Sequence, residues 1–372
     1  MQVPEHAPNT SPKPGDGPKG PGDSPKAQGP EPGKPPLRAF EHDDGFILGA
    51  ALEPILHDAC SGRLGPVRWF RTTWQRGGAT TGEAEWTLPD GRTTAALIKL
   101  PVGAKEYRWT RALGHLHDQP GDCGELDAPT PRVLAGDEVL GGYDLAWLVL
   151  EKYEGAPVTR ELNREGLLGL LRVAAGFQAH ARNAGVEIGP AKRCDWPALF
   201  EKSAQRVEAG ELAISPAEER RWLDALAWMR RVSPQILDRW RSRRLDDWCH
   251  GDLHPGNVIR RADGRFVLID LALVHRGHWL EDALYIERLF WGREDRLEGV
   301  NPVHQLAEYR QRLGLPGMDS RTELMAAHRR VLAAAAVPVF LGRFGDRRYV
   351  HAALERLEGL LPVLTDPALR IG

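Results

Sequence analysis

Cysteine is scarce in this chain. Cys60, Cys123, Cys194 and Cys249 lie far apart, and no two have C-x-x-C spacing. That leaves no disulfide framework or zinc module to organise the fold and makes reduced thiols in a cytoplasm the expectation. A charge excess of either sign is missing too. Lys plus Arg number 49 and Asp plus Glu 51, for a net charge of -2, so nothing points to nucleic acid or an anionic membrane as a partner. Long hydrophobic runs are also lacking, since none approaches the roughly 18 residues of a spanning helix. The N-terminus has Pro, Gly and charge where a signal peptide needs an apolar core. A soluble cytoplasmic protein without a membrane span is expected.

What is present begins with a biased tail. Residues 1–38 are rich in Pro and Gly, with Lys, Asp and Ser between them, and cannot bury enough apolar surface to offset the entropy of ordering. They read as a disordered, solubilising or spacing segment. The remaining residues suffice for a large core in one two-lobed domain, or for two small domains. A short helix is expected over Phe46 to Cys60. From Val67 the pattern turns β-like: a strand, a Gly-rich turn at Arg76-Gly77-Gly78-Ala79-Thr80, and a return strand through Glu85 to Leu88. Pro89-Asp90-Gly91-Arg92 then turns into the apolar strand Thr93 to Leu100, which carries Lys99 near its end. In the helix expected from Gly103 to His117, Glu106, Trp109, Leu113 and Leu116 share one apolar face. A carboxylate on such a face needs a partner, and Lys99 is the natural one. His115 and His117 diverge on a helix and read as surface residues rather than metal ligands.

The densest chemistry lies in His250-Gly251-Asp252-Leu253-His254-Pro255-Gly256-Asn257 and the stretch up to Asp270. Pro255-Gly256 makes the segment between Asp252 and Asn257 a loop. Asp263-Gly264, flanked by two short β-rich runs, reads as a hairpin. Such a hairpin brings Asn257 and Asp270 side by side, with Asp252 on the adjoining loop. An amide oxygen beside a carboxylate is a hard-oxygen pair suited to Mg²⁺. A nearby carboxylate in a separate loop can accept a proton from an attacking hydroxyl. Together they have the logic of metal-assisted phosphoryl transfer.

The spacing D-x-x-x-x-N, hairpin, Asp resembles the catalytic and metal loops of the kinase fold. The spelling HGDLHPGN, with Gly251 where protein kinases have Arg, resembles the aminoglycoside phosphotransferase and choline kinase branch. Fewer than twenty residues separate Asp270 from the helix expected near Asp282. That leaves no room for the activation segment with which a protein kinase presents a peptide. The resemblance covers roughly residues 65–290. It departs after Asp270, where Leu271 and Ala272 replace the aromatic and acidic residues often found there.

The resemblance implies a bilobal α+β fold, with a small antiparallel N-lobe sheet and one helix over 39–150 and a mostly helical C-lobe over 151–372. It implies ATP and Mg²⁺ as cofactors and a small-molecule hydroxyl as acceptor: an aminoglycoside, a sugar, an amino alcohol or similar. Asp252 would accept or orient the hydroxyl proton, and His250 would shape the catalytic loop. Asn257 and Asp270 would hold Mg²⁺, while Lys99, positioned by Glu106, would hold the α/β-phosphates. Gly77, Gly78 and Thr80 would cover the phosphates. Glu151, Lys152 and Tyr153 would meet the adenine at the lobe linker. An Asp placed like Asp282 anchors helix and loop in that family, but at a helix start it serves equally as a cap. Helices are expected over Ala217 to Arg231 and Pro234 to Arg243, and near them Glu208, Glu211, Glu218 and Glu219 either contact a cationic acceptor or form a solvated face. A non-catalytic nucleotide-binding pseudokinase, and a kinase of a cell-envelope sugar or lipid-linked acceptor, remain as alternatives.

Overall fold

The computed structural model describes residues 44–70, 80–118, 128–186, 194–341 and 345–366. The tail and the glycine turn with Gly77 and Gly78 fall outside these residues. The first helix, α1 (Asp44–Ala59), leads into a five-stranded antiparallel sheet of β1 (Arg68–Phe70), β2 (Thr80–Thr87), β3 (Thr93–Val102), β4 (Val133–Asp137) and β5 (Ala146–Glu151), in the order β1-β2-β3-β5-β4. Alternation in β3 sets its two faces. Ala96, Ile98 and Leu100 are buried against α1 with Trp86 and Trp147, while the half-buried Lys99 points to the other side. There it meets α2 (Ala104–Gly114), which continues into a 3₁₀ turn over His115–Asp118. His115 is exposed, as expected. His117 is half-buried, its Nε2 2.7 Å from the Thr130 carbonyl.

The chain leaves the sheet through Lys152, whose N–H donates to the Ala95 carbonyl (2.8 Å). It then forms β6 (Gly155–Pro157), which pairs with β8 (Val258–Arg261), and β8 with β9 (Phe266–Leu268). The expected metal-loop hairpin is therefore present and is hydrogen-bonded to the lobe linker. A second small pairing joins β7 (Asp247–Cys249) to β10 (His275–Gly277).

Helices make up the rest: α3 (Arg164–Asn183), α4 (Trp196–Glu208), α5 (Pro216–Arg241), α6 (Leu280–Leu289), α7 (Pro302–Arg312), α8 (Thr322–Ala335), α9 (Val337–Phe340) and α10 (Arg347–Thr365). One core gathers α3, α6 and α7 around the catalytic stretch, and another gathers α4, α5, α8 and α10. The break expected between Arg231 and Pro234 is corrected here, because α5 runs unbroken through Pro234. Proline removes the N–H that would bond the Arg230 carbonyl. Ser233 Oγ donates to that carbonyl instead (3.0 Å). Among the described residues no helix is long and apolar enough to cross a membrane.

Candidate active site

Each element end delivers one part of the site. Lys99 Nζ donates to Glu106 Oε1 across β3 and α2, and Glu106 is otherwise buried. A carboxylate on the inner face of a helix is thus satisfied by one lysine, which it holds in place. Thr80 opens β2 opposite Leu100 and is buried. Glu151 ends β5, its N–H donating to the Arg132 carbonyl (2.9 Å). The backbone N–H groups of Glu151 and Lys152 are therefore used by the sheet. Lys152 also pairs with Glu83 on β2 (2.7 Å). Tyr153 lies below, its hydroxyl accepting from the Arg132 N–H (3.4 Å) and its ring covered by the Arg261 guanidinium 4.2 Å from the centroid. Burial pushes its phenol pKa up.

The catalytic loop is held by hydrogen bonds that converge on few atoms. Gly251 adopts φ 83°, and a Cβ there would stand 2.3 Å from the Leu273 carbonyl oxygen. Only glycine fits a left-handed position approached that closely by backbone. His250 is buried, its Nδ1 accepting from the Asp252 N–H (3.3 Å) and its Nε2 3.1 Å from the Ile269 carbonyl. With Nδ1 accepting, Nε2 is the nitrogen that faces that carbonyl as donor. Both nitrogens are occupied, and through them His250 ties its loop to the strand entering Asp270.

Asp282 is settled in favour of an anchor. It is the third residue of α6, not its cap, and is buried at 1 % exposure. Its carboxylate accepts from the backbone N–H groups of His250 (3.0 Å) and Gly251 (3.1 Å) and from Gln178 Nε2 (3.1 Å). Burial pushes its pKa up, with His250 and the His250 and Gly251 amides acting against it. Gln178 Oε1 in turn accepts from Arg310 Nη1 (2.6 Å), and Arg310 Nη2 reaches both oxygens of Asp247 (3.0 Å each). Arg310 is fully buried. Sequence reasoning missed this chain, because Gln178 reads as one more position on an apolar helix face and Arg310 as an ordinary charge near a helix end.

Asp252 and Asn257 are in direct contact. Asn257 Nδ2 donates to the Asp252 carbonyl (3.0 Å) and to Asp252 Oδ2 (3.3 Å). With its nitrogen fixed there, the amide oxygen is left out of both contacts. Ile269 N–H donates to the Asn257 carbonyl (3.0 Å), which sets Asp270 beside Asn257 as the hairpin reading required. Asp270 itself is exposed at φ 64°, and among the described residues its carboxylate has no hydrogen-bond or ion-pair partner. An amide oxygen and an uncompensated carboxylate at one strand end form a hard-oxygen set that fits Mg²⁺.

Two further residues touch Asp252. The Tyr285 hydroxyl, from α6, donates to its Oδ1 (2.6 Å); burial pushes that phenol far up, so it stays protonated. His254 Nε2 stands 3.7 Å from Oδ2, and burial pulls its pKa down, so the ring is neutral near pH 7. His254 was legible as part of the loop spelling, whereas Tyr285 carried no signal beyond its place on an apolar helix. Cys249, His275 and Glu281 also come together, with ligand atoms within 4.8 Å. Their partners explain that cluster: Glu281 accepts from Arg243 (3.0 Å) and the His278 N–H (3.1 Å), and Cys249 Sγ donates to the His278 carbonyl (3.2 Å).

A small antiparallel sheet with one pairing helix, a linker and a helical lobe carrying these loops define a protein-kinase-like phosphotransferase. The model of the phosphotransferase enzyme family matches residues 69–324. The chain belongs to that family and is an enzyme, a phosphotransferase acting on an alcohol group. Among solved structures, it is similar to a protein assigned as an aminoglycoside phosphotransferase from Ralstonia eutropha. That match has 16% identity over 84% of this chain and 98% of that one, with a TM-score of 0.50. The microcompartment-associated aminopropanol kinase is similar at 14% identity over 85% of this chain and 96% of that one, also with a TM-score of 0.50. At such identities the likeness is one of fold. No curated protein matches the chain in sequence.

Proposed function

We propose that this enzyme transfers the γ-phosphoryl group of ATP to the hydroxyl of a small molecule. The observation that carries this reading is the contact of Asp252 with Asn257 beside the hairpin end that presents Asp270. Asn257 Oδ1 and the Asp270 carboxylate would hold Mg²⁺, which when bound neutralises charge on the phosphates. Lys99, kept in place by Glu106, holds the α/β-phosphates. Thr80, which opens β2, would border them, and Gly77 and Gly78, outside the described residues, are assigned to the same role. Glu151 and Tyr153 border the adenine. Because the N–H groups of Glu151 and Lys152 are engaged in the sheet, the base meets their carbonyls and the backbone from Tyr153 onward. Asp252 orients the acceptor hydroxyl and takes its proton, with Tyr285 and Asn257 fixing the carboxylate plane. The lobes on this reading are residues 39–150 and 151–372. The thiols of Cys60, Cys194 and Cys249 are free, which fits a reducing cytoplasm.

Paired variants test the roles. Asp252→Asn should lower ADP release in the presence of acceptor by about 10³-fold while sparing nucleotide binding. Asp270→Ala should abolish the Mg²⁺-dependent part of ATP stabilisation in a thermal-shift titration. Full turnover in the first, or full Mg²⁺-dependent stabilisation in the second, would overturn the corresponding assignment.

A further inference from the structure

Glu281 and Asp282 are consecutive buried carboxylates in the first turn of α6. Asp282 takes the amides of His250 and Gly251, whereas Glu281 serves the β7–β10 pairing. Its Oε1 accepts from Arg243 Nε (3.0 Å) and the His278 N–H (3.1 Å), which leaves Oε2 facing His275 Nε2 at 3.6 Å. His275 opens β10 opposite Cys249 of β7, its side chain 18 % exposed. The other ring nitrogen, Nδ1, lies 3.0 Å from the Leu273 carbonyl.

Both partners of this ring only accept. A neutral imidazole has a single N–H, so it would turn a lone pair on either the carboxylate or the carbonyl, whereas an imidazolium donates to both. The charges around the ring agree. Glu281 and Asp282 of α6 are the acids that act on it, and the Cys249 thiol, from β7, is pushed well up by burial and stays neutral. Arg243 and Arg329 are the neighbouring cations, and both act on Glu281. Burial pulls the His275 pKa down, but Glu281, the Leu273 carbonyl and Asp282 outweigh it, and the net shift is upward. Burial likewise pushes the Glu281 carboxyl up, and His275, Arg243 and Arg329 outweigh it, drawing it down to about 2.

What the ring supports is the residue before Asp252. A Cβ on Gly251 would stand 2.3 Å from the Leu273 oxygen and 2.9 Å from His275 Nδ1. Gly251 therefore rests on the carbonyl that His275 holds, while its N–H donates to Asp282 (3.1 Å). Two consecutive acids of α6 thus grip the same glycine, one directly and one through His275.

We infer that His275 is a positioning residue for the catalytic loop and acts as an imidazolium that bridges the Leu273 carbonyl and the Glu281 carboxylate. The inference rests on the phosphotransferase reading in so far as that reading makes the loop catalytic. The imidazolium is fully present below the ordinary histidine value of about 6.5. It is lost as pH rises through the higher folded value, and the order of the loop declines with it.

The test uses the full chain and needs no acceptor. Nuclear magnetic resonance of labelled histidine, with the His275 signal identified by its loss in His275→Gln or His275→Asn, should show a titration midpoint above about 6.5. Hydrogen exchange read by mass spectrometry then follows the segment Asp247 to Asn257. At about pH 6 that segment should exchange about threefold or more faster in His275→Gln than in the wild type, and the ratio should shrink above the midpoint. Comparison at equal pH cancels the base catalysis of exchange itself. If the variant does not fold, the wild-type segment is compared with α3 of the same chain, and its relative exchange should rise through the midpoint. A midpoint at or below the ordinary value, equal exchange at about pH 6, or a ratio that does not change with pH would each overturn the inference. Melts of the wild type with Mg²⁺ and a non-hydrolysable ATP analogue report separately on the phosphotransferase reading. Its failure there leaves the exchange result standing.

Discussion

At the scale of single residues, the site depends on one backbone conformation that no other side chain can take. Gly251 combines φ 83° with a carbonyl 2.3 Å from where a Cβ would stand, and its N–H donates to Asp282. Gly251→Ala should therefore cost about 1–2 kcal/mol for the left-handed conformation alone, with the displaced Leu273 carbonyl in addition. Turnover should fall more than tenfold, because the shift reaches Asp252 directly. Circular-dichroism melting with an ADP-release assay checks both, and turnover equal to wild type would show that the loop absorbs a Cβ. The carboxylates and amide of this loop were legible because their types and spacing are dictated by what they must do. Asp282 was legible only as one of two alternatives. Deciding between them required the tertiary fact that its carboxylate faces the His250 and Gly251 amides rather than its own helix.

At the scale of elements, periodicity placed β2, β3 and α2, since β3 and α2 each have one apolar face and one partner for it. It failed at Pro234. A proline reads as a stop, and the back-bond from Ser233 that replaces its missing donor depends on a rotamer the sequence does not display. The start of α5 is a capping box of Ser215 and Glu218, which the periodicity did not mark. Glu218 accepts from the Ser215 N–H (2.9 Å) and Oγ (2.8 Å) and pairs with Arg347 and His351. The two Ser215 hydrogen bonds, then Arg347 and His351, draw its pKa down to about 2. A carboxyl depressed in the folded state stabilises fully above its unfolded value and loses that contribution as pH falls toward the folded value. Between about pH 4.5 and 2 the wild type should thus lose roughly 2 kcal/mol that Glu218→Gln does not lose. Urea melts across that window would show a flatter acid dependence in the variant; parallel curves would mean that the cap is not ionised.

At the scale of the molecule, one tryptophan joins the parts. Trp109 leaves α2 with no exposed surface and packs edge-on against Trp248 (4.7 Å) and against Phe177 (6.1 Å). The helix that positions Lys99 is thereby seated in the core of the helical lobe. Trp109→Ala should cost about 3–5 kcal/mol and lower the melting temperature of the whole chain. Scanning calorimetry checks this, and a variant melting like the wild type would show that α2 is not held from below. The sequence marks Trp109 as core but not as the core of the other lobe, because periodicity identifies a buried face without saying what covers it.

The line from Asp247 through Arg310 and Gln178 to Asp282 bears on folding as well as on catalysis. An apolar core tolerates a missing piece by loosening, but an interior chain of charges and amides does not, since each member left alone faces low dielectric without a counterpart. The line is therefore either complete or absent. The amides of His250 and Gly251 lie at its end, so the order of the catalytic loop belongs to the same all-or-none event as the burial of Arg310. An incoming substrate then spends none of its binding energy on organising that loop.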